Sequence, residues 1–249
     1  MENVPLKFVN HKIEENATKV TYRPAENTGT VIYNLSLIDS ADYEFAIEIF
    51  REAFRAGLVV SDRVSFLDEG DEMESYRIPE GKTGICTICS MTLDALLLRK
   101  GIPINPIGGG IVEIENMVPR RFTAMLKYEY TTIDPISVMI SQGNTEVSGV
   151  IKTGNGSITG NIREFHMEAE STVFGVVDEL NSSGFTGVLD VGAPNTSLLG
   201  VPVTPNYQGF SMIGGTNPVA AIIESGRYAE VRSMKGLIDI SNIKYVTDY

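Results

Sequence analysis

The apolar positions of this chain change period several times, and the changes mark its elements. Val31–Ile38 (VIYNLSLI) is a β-rich run bounded by polar turns, which predicts a strand. After it, Ala46, Ile49, Phe50 and Ala53 recur at helical spacing and give a helix one buried face. Ser40 is placed to cap that helix, Asp42 suits its first turn and Gly57 supplies its stop. Leu58–Phe66 and Gly84–Cys89 read as strands, Thr92–Lys100 as a helix stopped by Gly101, and Gly110–Ile114 as a closing strand. The order is βαββαβ.

The same grammar returns further along. Ile158–Phe165 predicts a strand and Glu168–Ser182 a helix with Val173, Val176, Val177 and Leu180 on one face. Gly187–Val191 and Gly209–Ile213 predict strands, Pro218–Glu224 a helix and Leu237–Ile240 a last strand. The residues themselves also repeat. Gly84–Gly101 lies over Gly209–Gly226 without a gap at an offset of 125, Gly110–Ile114 over Gly236–Ile240 at 126, and Asn34 and Gly57 over Asn161 and Gly184 at 127. Glycines registering at several places point to an internal duplication.

The expected fold is therefore α+β: two ferredoxin-like βαββαβ lobes, each an antiparallel sheet with both helices on one face. Residues 1–30 read as a polar connecting segment, 31–114 as the first lobe, 115–157 as an inserted segment and 158–249 as the second lobe, together one domain. The insert holds a predicted strand at Phe122–Tyr130, a short helix after Asp134-Pro135 and a turn at Gly154–Gly156. An insert of that length between repeats is often a functional element.

Composition narrows the partners. At 43% hydrophobic and 21% charged, the 249 residues describe an ordinary globular protein with ample chain for a core. No run of about 18 apolar residues suggests a membrane span, and no apolar stretch near the start suggests a secretory signal, so a cytoplasmic location is expected. The formal charge of −12, with no basic stripe, argues against this surface holding DNA by itself.

Candidate chemistry gathers where the third strand meets the second helix of each copy. Gly214-Gly215-Thr216-Asn217-Pro218 sets two glycines after a strand, Asn217 at the expected N-cap and Pro218 at the first helical position. Free backbone N–H groups there attract a carboxylate or phosphate, although the same residues also make a well-formed helix start. The aligned residues of the first copy are Cys89-Ser90-Met91-Thr92, with Ser90 or Thr92 available as a cap. If the lobes pack about a pseudo-twofold axis, both helix starts face one cleft, suited to a ligand with an anionic group at each end.

Cys86 and Cys89 form a C-x-x-C, but with only His11 and His166 as further soft ligands a zinc site lacks donors, and Cys86 in mid-strand lacks the helix start that lowers a redox thiol. Ordinary packing or, for Cys89, a place in a ligand wall remain. Adjacent Arg120 and Arg121 read either as a solvated turn or as a clamp for a carboxylate. Thr131 and Thr132 either lead into the helix at Pro135 or present hydroxyls to a ligand. No nucleophile elbow, Walker loop, dinucleotide fingerprint or H-E-x-x-H motif is present.

Gly84–Ser90 (GICTICS), Gly101-Ile-Pro-Ile-Asn-Pro106, Thr131-Thr-Ile-Asp-Pro135, Gly154-Asn-Gly156, Gly200-Val-Pro-Val203 and Gly214-Gly-Thr-Asn-Pro218 occur in an order that resembles the regulatory domain of the archaeal nitrogen-responsive transcriptional repressors, the NrpR type. The resemblance implies an allosteric sensor rather than an enzyme. It would bind no cofactor, take 2-oxoglutarate as effector and so relieve repression of nitrogen fixation and assimilation genes. It also implies a cleft involving Thr87, Cys89, Ser90, Thr131, Thr132, Gly214, Gly215, Thr216 and Asn217. Arg121 is the candidate cationic partner on chemical grounds. A homodimer or higher oligomer is expected, with DNA reached only through a helix-turn-helix module that residues 1–30 are too short to contain. Two competing readings are a metabolic enzyme acting on a small dicarboxylate and a purely structural dimerisation domain.

Overall fold

The computed structural model describes residues 6–74 and 76–249, so Met1–Pro5 of the expected connecting segment, and Ser75, lie outside the described residues. Helix α1 (Val9–Ala17) opens the chain, followed by strand β1 (Thr30–Asp39), helix α2 (Tyr43–Arg55) and strand β2 (Val64–Leu67). A small hairpin, β3 (Glu72–Met73) and β4 (Tyr76–Arg77), precedes β5 (Lys82–Ile88), helix α3 (Thr92–Arg99) and β6 (Ile104–Glu115). Next come β7 (Val118–Lys127), α4 (Pro135–Ser141) and α5 (Val147–Thr153). The second copy is β8 (Gly156–His166), α6 (Glu170–Ser182), β9 (Val188–Val191), β10 (Tyr207–Ile213), α7 (Asn217–Glu224) and β11 (Ala229–Asp239).

The fold is α+β, with two antiparallel sheets in the orders β11-β1-β5-β2 and β7-β6-β8-β10-β9. Each contains the fourth-first-third-second strand order of a ferredoxin-like plait. The fourth strand, however, comes from the other copy: β11 pairs with β1, and β6 pairs with β8. The second helices cross with it. α7 packs with α2 on the first sheet, where Val219 and Ile222 meet Ile38, Phe50 and Ile85. α3 lies against β8 and α6 on the second, through the Asp94–Arg163 and Lys100–Glu179 pairs. The two plaits thus interlock, and neither sheet is built from consecutive residues alone.

The duplication is exact enough to appear in the hydrogen bonds. Tyr33 stands opposite Ile88 as Gly160 stands opposite Ile213, and Val31 opposite Ile238 as Ile158 opposite Val112. Cys89 N donates to Ile32 O and Gly214 N to Thr159 O, both at 2.8 Å. Ile32 N donates to the Thr92 hydroxyl at 3.1 Å, and its counterpart Thr159 N to Asn217 Oδ1 at 2.8 Å.

Several expectations need correction. Asn217 does not cap α7; it is the first helical residue and its amide holds β8, so Thr216 is the N-cap residue and Pro218 the second position. Neither does Ser90 or Thr92 cap α3, because both side chains bond to neighbouring strands instead. Ser40 opens a single short turn, Ser40–Asp42, ahead of α2 without a capping bond. The strand expected at Leu58–Phe66 begins only at Val64, since Val60 and Asp62 pair with Thr186 and Gly184 of the other copy rather than with their own sheet. Two helices escaped the pattern: α1, which buries Val9, Ile13 and Ala17, and α5.

The insert is structural as well as connecting. β7 extends the second sheet beyond β6. α4 starts as its sequence implies, Asp134 accepting from Ser137 N at 2.8 Å ahead of Pro135. α5 takes its cap from α7: Glu224 receives Val147 N at 2.7 Å and Ser148 N at 2.8 Å.

Candidate functional site

The exchange of helix and strand forces the chain to cross itself. After β5 it leaves the first sheet through Cys89–Met91, and after β10 it leaves the second through Gly214–Thr216. These crossovers pass in contact, which explains the two glycines. A methyl at Gly215 would overlap the Ile88 carbonyl oxygen and lie 2.7 Å from Asn34 Nδ2, and one at Gly214 would overlap the Thr159 hydroxyl. Neither glycine has a positive φ; their need is space.

A cleft opens at this crossing. Its walls are the two crossovers, the paired asparagines Asn34 and Asn161, the bend of β11 at Ser233 and Met234, and a roof from the insert made of Tyr128, Asp134 and Ile136. Its cavity volume is about 20 Å³. That is room for about one water.

The polar groups around the cleft are held in a repeated way. Asn34 Nδ2 donates to the Thr87 hydroxyl at 3.2 Å, and its Oδ1 accepts from Met234 N at 3.1 Å. The latter bond steadies Met234, which sits at φ 48°, a left-handed conformation uncommon outside glycine. Asn161 Nδ2 donates to Ser90 Oγ at 2.8 Å, and its Oδ1 accepts from Arg163 Nη2 at 2.7 Å. Arg163 in turn lies 2.7 Å from Asp94 of α3, with both side chains sealed from solvent.

Four polar groups at the cleft are left unsatisfied. The Thr216 hydroxyl is buried without a partner, which costs free energy unless a ligand or water supplies one. Among the described residues, no backbone carbonyl takes the N–H of Ser90, Gly215 or Thr216. These groups stand ahead of α3 and α7, where the helix dipole adds positive potential. An acceptor, above all an anion, fits such surroundings.

The thiols offer no nucleophile. Burial pushes Cys89 up to about 12 and raises Cys86 further still, so both are neutral packing groups at neutral pH. Among the described residues, no three His, Cys, Asp or Glu side chains gather as metal ligands. Burial also pushes the Asp94 carboxyl up, to about 6, against the pull of Arg163.

Of the residues singled out in the sequence, the structure brings Cys89, Ser90, Gly214, Gly215 and Thr216 to one cleft. Thr87 stands behind it, bonded to Asn34, and Asn217 beneath it, bonded to Thr159. Thr131 and Thr132 are not brought to it; Thr131 closes a turn onto Ile133 and accepts Val9 N. Arg121 is not brought to it either: it lies exposed on β7, paired with Glu113 at 2.9 Å. The buried cation beside the cleft is Arg163, which sequence reasoning missed because an arginine inside a strand pattern reads as solvent-facing. Asn34 and Asn161 carried a usable signal, the same residue type at matched strand positions in the two copies.

The comparisons with known proteins agree along the chain. Residues 6–245 match the family described as NrpR regulatory domains NRD1 and 2. The global nitrogen regulator NrpRI of Methanosarcina mazei is 36% identical over 239 residues, covering 96% of this chain and 73% of that protein. The global nitrogen regulator NrpR of Methanocaldococcus jannaschii is 31% identical over 242 residues, covering 97% of this chain but 40% of its own length. Both are named as regulators, not enzymes. A crystal structure of a nitrogen repressor-like protein from Methanococcus jannaschii matches with a TM-score of 0.83 at 28% identity, covering 97% of this chain and 100% of that one. Among the described residues no helix is long and apolar enough to cross a membrane. By the span of the match and the identity to named relatives, the chain belongs to the family of NrpR regulatory domains.

Proposed function

We propose that this chain is the effector-sensing part of a repressor of nitrogen genes and that 2-oxoglutarate binds at the crossing of the two plaits to relieve repression. The observation that carries the reading is the meeting of two helix starts in one cleft, lined by residues whose backbone N–H groups no backbone carbonyl takes and by Thr216, whose hydroxyl has no partner among the described residues. A dicarboxylate supplies acceptors for both sides of such a cleft.

The cleft has room for about one water, so a five-carbon dicarboxylate enters only by parting the crossovers. Parting them moves two interlocked plaits, because each crossover ends in a helix and strand belonging to the opposite sheet. Binding energy spent on an open form shifts the population toward it. In a dimer whose subunits carry helix-turn-helix modules, that shift changes the half-site spacing and lowers operator affinity.

Calorimetry with 2-oxoglutarate, followed by recovery of the ligand, tests this. The expected result is saturable binding with the ligand returned intact. Conversion of the ligand would indicate an enzyme, and absence of binding a structural domain; either result overturns the proposal.

A further inference from the structure

An anion entering the crossing cleft meets a shortage of positive charge. The ionisable side chains of its wall are Asp134, Cys89 and Tyr128. Burial raises the last two, so neither ionises near neutrality, and none of the three is a cation. The cation lies one layer deeper. Arg163 is 0% exposed, and its Nη2 donates to Asn161 Oδ1 at 2.7 Å and to the Met91 sulfur at 3.3 Å. Asn161 and Met91 are themselves part of the cleft wall.

Arg163 is already neutralised by Asp94, through charge rather than through directed hydrogen bonds. The two approach to 2.7 Å, yet neither Asp94 oxygen receives a directed hydrogen bond, and Arg163 Nε and Nη1 have no directed partner. Nη1 is thus free to take a better-placed acceptor. We propose that Arg163 is the anion receptor of the cleft: an effector carboxylate takes its guanidinium from Asp94, and Asp94 accepts a proton from solvent in exchange. The inference rests on the reading of this cleft as the effector site.

The exchange balances charge. Without the proton, Asp94 and the effector would share one buried cation, an arrangement that low-dielectric surroundings strongly oppose. Arg163 is the group that holds the Asp94 carboxyl down against burial, so losing it raises the carboxyl further. The charged and titratable groups near Asp94 are Arg163 on β8, Cys89 ahead of α3 and Tyr128 after β7, and Asp134 at the start of α4 lies near the last two. Asp134 is occupied by Ser137 N and Oγ. Asp94 is therefore the group placed to take the proton.

Titration calorimetry of the whole chain with 2-oxoglutarate, in two buffers of low and high ionisation enthalpy at pH 7, reads the proton directly. The expected result is uptake approaching one proton per effector bound, with affinity falling by up to about tenfold per pH unit above pH 7. Asp94→Asn is expected to bind with no proton uptake and a flat pH profile, and Arg163→Gln to bind at least about tenfold more weakly. Binding by the wild type without proton uptake overturns this inference while leaving the effector reading intact. Uptake that persists in Asp94→Asn overturns it too, by moving the proton to another group. No binding at all by the wild type overturns both. The wild-type measurement decides even where a variant does not fold.

Discussion

Asn161 and Ser90 join the two copies of the duplication: the amide on β8 donates to the serine hydroxyl of the first crossover at 2.8 Å, with both side chains buried. The same amide accepts from Arg163 through its oxygen. One asparagine therefore ties the exit of the first sheet to the centre of the second.

Replacing Asn161 with alanine leaves the Ser90 hydroxyl and Arg163 Nη2 without these partners. We expect a loss of about 2–4 kcal/mol of unfolding free energy in urea, at the upper end for a bond to a charged group. Ser90→Ala, which strands only the amide Nδ2, is expected to cost about 1–2 kcal/mol. Equal losses would show that Arg163 gains nothing from Asn161.

Gly215 and Gly175 make a matched pair of alanine substitutions. A methyl at Gly215 meets the Ile88 carbonyl oxygen and Asn34, neither of which has room to retreat, whereas one at Gly175 on α6 meets nothing within 4 Å. Gly215→Ala is expected to cost at least about 2 kcal/mol through overpacking. Gly175→Ala is expected to stabilise by about 0.5–1 kcal/mol through helix propensity. Thermal melts of the two variants should move in opposite directions.

Thr216→Val separates binding from folding. It removes a buried hydroxyl that has no partner, so stability is expected to hold or rise by about 1 kcal/mol, while 2-oxoglutarate binding weakens by about tenfold, the worth of one hydrogen bond. Arg121→Ala is the contrast. Its pair with Glu113 is solvent-exposed, so neither stability nor binding should change by more than about 0.5 kcal/mol.

Asp94 gives the free protein a pH dependence of known sign. Its carboxyl is raised to about 6 in the folded chain, above the ordinary value of about 3.9. Its contribution is fully present below about pH 4 and is lost as pH rises through about 6. Asp94→Asn, which mimics the protonated form, should therefore gain on the wild type by about 2–3 kcal/mol between pH 4 and 7. Chemical unfolding at the two pH values checks this; a constant difference would mean that Arg163 fully compensates the burial.

Much of the site was readable before folding was considered. Cys89 and Ser90 in one copy, and Gly214, Gly215 and Thr216 in the other, sit where strand three passes into helix two, and aligned junctions imply related surroundings. The cation was not readable. Arg121 stands beside Arg120 in a polar stretch, which looks like a clamp, whereas Arg163 is hidden in a strand pattern and gains its meaning only from Asp94, 69 positions earlier in the chain. Helix α1 offered a partial signal in the spacing of Val9, Ile13 and Ala17, masked by the polar residues between them.

The sequence determined most elements of the two copies, their order and their duplication, because hydrophobic period, glycine stops and β-rich runs act over a few residues. It did not determine which sheet each fourth strand joins. β6 and β11 come from equivalent positions in similar copies, so a self-contained lobe and an exchanged one bury similar strands and satisfy the same backbone groups. Local pattern is nearly blind to that choice. Tertiary structure made it at the crossover, where Gly214 and Gly215 let two chain segments pass in contact and where Asp94 of one copy meets Arg163 of the other. The cleft exists because of that crossing.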